Sequence, residues 1–167
     1  ALGFELYVEM LNEAVAELSG QARVVARPVR VDAKIDAYVP ASYIQSEALK
    51  IDLHRRLALV ESDDELRELR MATEDRYGSV PEPVESLFQI QEARLRLALL
   101  GADYLVFRGG KATIGPVALS GDELRALRAT IDTAIYTSAR REVAVRADDL
   151  TAVLALADAI VAARRAA

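Results

Sequence analysis

DYLVFRGGKATIGPVAL, residues 103–119, decides whether this chain builds a sheet. Two runs rich in β-branched and aromatic residues flank the pair Gly109-Gly110, and two consecutive glycines allow the positive φ angles of a tight two-residue hairpin. The spacing predicts two antiparallel strands. The Gly110-Lys111 pair also invites comparison with a phosphate-binding loop, G-x-x-x-x-G-K-[ST]. Leu105 stands at the first glycine position and Ala112 at the hydroxyl position, so the long backbone cradle and the Mg²⁺-binding hydroxyl of that motif are both missing. The stretch reads as a hairpin turn.

Downstream of the hairpin, Ser120 and Glu123 form an S-x-x-E capping box. It opens a helix expected to run through Leu124, Leu127, Ile131 and Ile135. REVAVRA (141–147) reads as a short strand, placed at a charge-guarded sheet edge. Asp148 and Asp149 then put negative charge at the positive end of a last helix lined by Leu150, Leu154, Ala157 and Val161.

Upstream, the period changes. In VRVDAKIDAYV (29–39) apolar and mostly charged residues alternate as in a half-buried strand, which Pro40 stops. Leu49, Leu53, Leu57 and Val60 return to helical spacing. Ser62 and Glu65 form another capping box, opening a helix with Leu66, Leu69, Thr73 and Tyr77 on one side and Gly78 at its end. Pro81 and Pro83 suit the first turn of the next helix, which carries Val84, Leu87, Phe88, Gln91, Leu95 and Leu99 to Gly101. At the start of the chain, Phe4, Tyr7, Leu11, Val15 and Leu18 form the stripe of an amphipathic helix. The expected fold class is α+β: about six helices packed on a small, mostly antiparallel sheet of about four strands.

Composition narrows the function. The chain has 167 residues, 52% apolar and 28% charged, with a formal net charge of -5 and no cysteine. Such a chain affords a core. The acidic balance argues against nucleic-acid binding as its main task, because affinity for phosphates comes from excess Lys and Arg. With no thiolate available for a metal and no apolar run long enough to span a bilayer, a soluble, cytoplasmic protein is expected, without cofactor or metal. His54, the single histidine, has Lys50 and Ala58 one helical turn away, which supply no ligand. The acidic pairs Asp63-Asp64 and Asp148-Asp149 sit at helix starts, where the dipole accounts for them. Glu74-Asp75 sits in a last turn, where negative charge is disfavoured. That pair points to a cationic partner, either a neighbouring Arg70 or Arg76 or another molecule.

Two segments carry a family resemblance, and a third between them shares it. GFELYVEMLNEAV (3–15) resembles the helix that leaves the motor in bacterial transcription-repair coupling factors. DELRELRMATEDRYGSVPEPVESLFQIQEARLRLALLGA (64–102) is similar to that family's stretch built around D-R-F-G-x-x-P, here Asp75, Arg76, Tyr77, Gly78 and Pro81. KIDAYVPASYI (34–44) is similar to its strand-and-proline segment. Family members commonly carry an acidic residue three positions before that Asp, where this chain has Ala72.

The resemblance implies the C-terminal domain of a large protein in which an ATP-driven DNA translocase displaces stalled RNA polymerase and recruits the excision-repair protein UvrA. It implies a connecting helix over 1–20, from a preceding motor, and a regulatory α+β domain over 21–167. Such a domain is non-catalytic and autoinhibitory, packing on the N-terminal UvrB-like module of the same protein and masking its UvrA-binding surface. Glu68, Glu74, Asp75 and Arg76 are the expected partner-binding residues, with UvrA and RNA polymerase as indirect partners. The alternative is an accessory nucleic-acid-binding domain acting through Arg140, Arg141 and Arg146.

Overall fold

The computed structural model describes residues 28–166, and the expected helices and strands can be compared with it over that range; the amphipathic stripe of residues 2–18 and the expected connecting helix over 1–20 lie outside it. Among the described residues five helices and five strands follow one another as β1 (Arg30–Ala33), α1 (Glu47–Leu59), α2 (Asp63–Tyr77), α3 (Glu82–Leu99), β2 (Tyr104–Arg108), β3 (Lys111–Gly115), α4 (Gly121–Thr130), β4 (Ile135–Thr137), β5 (Glu142–Arg146) and α5 (Leu150–Ala166). The class is α+β, as the two hydrophobic periods imply. By its contacts the described chain divides into two compact units, residues 37–91 and residues 28–36 with 92–166.

In the first unit α1, α2 and the start of α3 follow the expected stripes. Ser46 and Ser62 cap α1 and α2, their hydroxyls accepting from the Leu49 and Glu65 amides. The Ser62 box is shifted by one residue, because the Glu65 carboxylate accepts from the Glu61 amide at 2.8 Å. Leu53, Leu57, Val60, Leu66, Val84 and Phe88 are buried. Gln91 is also buried, and its amide donates to the Val60 carbonyl at 3.4 Å.

In the second unit the sheet order is β1-β2-β3-β5-β4, with β1 parallel to β2 and every other pair antiparallel. Gly109 and Gly110, at φ 58° and 73°, close the β2–β3 hairpin with Arg108 opposite Lys111. The inner face carries Leu105, Ala112, Ile114, Val143 and Val145, all buried together with Leu150, Val153, Leu156 and Ile160 of α5. Helices α4 and α5 pack on each other, and α5 lies on β5.

Four sequence expectations need correction. Helix α4 stops at Thr130 rather than reaching Ile135. Thr130, Ile131 and Thr133 are β-branched and lose side-chain freedom in a helix, and the chain turns back to form β4, an unforeseen fifth strand. β4, not the REVAVRA strand, is the edge: β5 lies between β3 and β4. Leu99 is 81% exposed, because the buried side of α3 passes to Ala93 and Leu97 in its second half. The alternation over 29–39 persists in burial, but ladder pairing ends at Ala33.

Candidate functional site

The expected partner-binding residues Glu68, Glu74, Asp75 and Arg76 all belong to α2, so the helix geometry decides which of them can act together. Each residue advances about 100° around the axis. Leu66, Thr73 and Tyr77 fall on the inner side, and Thr73 turns its hydroxyl to the Leu69 carbonyl at 2.7 Å. Glu68 and Asp75, seven residues apart, fall on one outer stripe with Met71 and Ala72 between them. All four are exposed, Met71 by 59%. Neither Glu68 nor Asp75 forms an ion pair among the described residues. Asp64 continues the stripe toward the N-terminus, held to Arg67 at 3.1 Å.

Glu74 does not join that stripe. It lies roughly 120° around the helix from Glu68, on the side of Arg70, whose guanidinium is 3.7 Å away. Arg70 in turn bonds the Glu85 carboxylate of α3 and sits over the Phe88 ring, 5.1 Å from its centroid. Of the two origins open for the cation facing the acidic pair, Arg70 supplies it for Glu74. Arg76 turns elsewhere, with its guanidinium 5.2 Å from the centre of the Tyr77 ring. In that last turn its charge also suits the negative helix end.

The rest of the D-R-Y-G-x-x-P segment builds a corner. Tyr77 packs against Tyr43 with ring centroids 5.8 Å apart and a 56° tilt. The Tyr43 hydroxyl donates to the Gly78 carbonyl at 2.7 Å. Burial, the Glu74 carboxylate and Tyr77 together push the Tyr43 phenol above its ordinary pKa. Gly78 stands at φ 88° and ψ -173° and its amide closes on the Glu74 carbonyl at 2.8 Å. Pro81 accepts the first amides of α3, from Val84 and Glu85. Sequence reading missed the clamp by Tyr43, thirty-five residues upstream of its acceptor. It also missed Met71, whose signal was an apolar residue lying off the Leu66-Leu69-Thr73 side.

Charge divides with the two units. Residues 37–91 hold six basic and eleven acidic residues, a net of -5, whereas residues 28–36 with 92–166 hold thirteen basic and eleven acidic, a net of +2. His54 is half-buried, and burial pushes its imidazole below the ordinary pKa. Among the described residues no cluster of three or more His, Asp or Glu is placed to hold a metal ion, and no helix is long and apolar enough to cross a membrane.

Residues 33–118 match the TRCF domain family, which is half of the chain. The chain belongs to the TRCF domain family. It is 34% identical over 131 residues to the transcription-repair-coupling factor of Staphylococcus epidermidis, an alignment covering 74% of this chain and 11% of that protein. The factor of Bacillus subtilis is 38% identical over 96 residues, 57% of this chain and 8% of the relative. That of Mycobacterium tuberculosis is 38% identical over 112 residues, 60% and 9%. The chain thus spans about a tenth of the length of these relatives. Its fold is similar to the crystal structure of the C-terminal domain of a transcription-repair coupling factor, with a TM-score of 0.71 at 20% identity over 83% of this chain and 95% of that one. This TRCF domain therefore carries the D-R-Y-G-x-x-P corner with one acidic stripe beside it.

Proposed function

We propose that this TRCF domain is a non-catalytic autoinhibitory module of a transcription-repair coupling factor. In this reading residues 21–167 belong to the regulatory domain and residues 1–20 connect it to an ATP-driven DNA translocase. The domain packs on the N-terminal UvrB-like module of the same protein and holds its UvrA-binding surface covered. UvrA and RNA polymerase are then its indirect partners, and the protein works in the cytoplasm.

The observation that carries the reading is the outer stripe of α2. Glu68 and Asp75 stand exposed without an ion-pair partner among the described residues, with exposed Met71 between them. Two carboxylates flanking an apolar side chain suit a cationic surface with one apolar contact point, and arginines there can bind carboxylates through two parallel hydrogen bonds. Glu74 and Arg76, expected as further contacts, support that surface from its flanks. Exposed ion pairs contribute about 0–1 kcal/mol each. Several such contacts make a latch that holds and still releases.

Competition tests the masking step. The UvrB-like module is immobilised, UvrA is flowed over it, and the 167-residue chain is added in increasing amounts. Dose-dependent loss of UvrA binding is expected. Unchanged UvrA capture at saturating chain would remove the masking claim.

A further inference from the structure

A second charged feature lies on the outer face of the sheet, independent of the α2 stripe. The ladder places Arg108 opposite Lys111 and Lys111 opposite Arg146, so three cations stand in one row across β2, β3 and β5. All three are exposed. Lys34 follows β1 directly at the same end of the sheet, is exposed too, and keeps the alternation of the exposed Arg30 and Asp32. Lys34, Phe107, Arg108 and Gly109 border an open surface depression there.

Like charges directly opposite one another weaken a sheet. Only Arg108 is compensated, by Asp32 at 2.5 Å. Lys34, Lys111 and Arg146 form no ion pair among the described residues. A row of uncompensated cations that costs stability is the kind of local conflict expected where a ligand supplies the missing charge. Arg140 and Arg141 are not part of it, for they precede β5 while Arg146 ends it, roughly 17 Å away at the strand rise.

We propose that this row binds the phosphate backbone of a nucleic acid, without regard to base sequence. A phosphate backbone carries charge at every step, matching a row in which β2, β3 and β5 each present a cation. The adjoining Gly109-Gly110 turn has open space where side chains would stand, so a backbone can approach closely. Among the described residues the outer face of the strands carries one aromatic side chain, Tyr104, at the opposite end of β2 from Arg108, so the row itself offers no ring for base stacking. An acidic protein segment is the competing occupant.

Fluorescence anisotropy of a labelled mixed-sequence DNA duplex, titrated with the 167-residue chain over a range of salt, separates these cases. Binding at low salt is expected, with a log–log salt slope of about -3 for three to four phosphate contacts. Lys111→Glu/Arg146→Glu should weaken it at least ~10-fold and flatten the slope by about 2, while Arg125→Glu/Arg140→Glu, with the same charge change off the row, retains the steep slope. Lys111→Ala alone provides a milder surface variant and should flatten the slope by about 1. Absence of binding at low salt, equal losses in the two double variants, or displacement-resistant binding of polyglutamate in place of DNA would each overturn the proposal.

Discussion

Gly78 shows how one residue can be structural inside a segment that looks functional. Its φ of 88° with ψ of -173° belongs to a region that side chains enter only under strain. Gly78→Ala is expected to lower stability by about 1–3 kcal/mol, read as a fall in urea midpoint at unchanged slope. Tyr104 offers a pH test. Burial and then the hydrogen bond to Glu142 push its phenol from 10.0 up to about 12, so the folded state favours the neutral form. Its contribution is fully present below about pH 10 and is lost as pH rises through about 12. Tyr104→Phe should remove that loss, and stability curves of the two proteins should converge across this window. Parallel curves would contradict the assignment. Gly115 belongs to the same arrangement, because a Cβ there would sit 2.6 Å from the Tyr104 hydroxyl oxygen.

At the scale of elements, local chemistry made most of the fold legible. Two glycines located the hairpin, and serines 46, 62 and 120 mark helix starts where their hydroxyls accept backbone amides. Ser120→Ala is expected to cost about 1 kcal/mol, since it removes half of a box in which Glu123 also accepts from the Ser120 amide at 2.7 Å; a shift in thermal midpoint measures it. The errors arose where long-range pairing overrides a local pattern. Ile131 and Ile135 continue the period of α4, yet Tyr136 is drawn into β4, where its hydroxyl donates to the Val117 carbonyl and accepts from the Leu119 amide. The position of β5 in the sheet depends on crossover order, which a strand's own alternation does not encode. The candidate site was legible as a charge anomaly at Glu74-Asp75. Its division into an outward Asp75 and a Glu74 held by Arg70 depends on α3, fifteen residues beyond Arg70 at Glu85.

Across the whole molecule, two differently charged units carry two separate surfaces. The acidic unit bears the α2 stripe and the basic unit bears the sheet row, so salt should weaken both proposed contacts while charge reversals on each surface distinguish them. A latch acts only through its differential contact with closed and open states, and moving an equilibrium from 1:99 to 99:1 takes about 5.5 kcal/mol. In the proposed latch, Glu68, Met71 and Asp75 would supply part of that amount, with the remainder spread over weaker contacts. The most direct test is calorimetric titration of the isolated UvrB-like module with the 167-residue chain and with its Glu68→Lys/Asp75→Lys form. Salt-sensitive binding by the parent chain is expected, with at least ~10-fold weaker binding by the variant and Glu74→Gln close to the parent. Equal affinity of parent and double variant, or no heat from the parent chain at low salt, would contradict it.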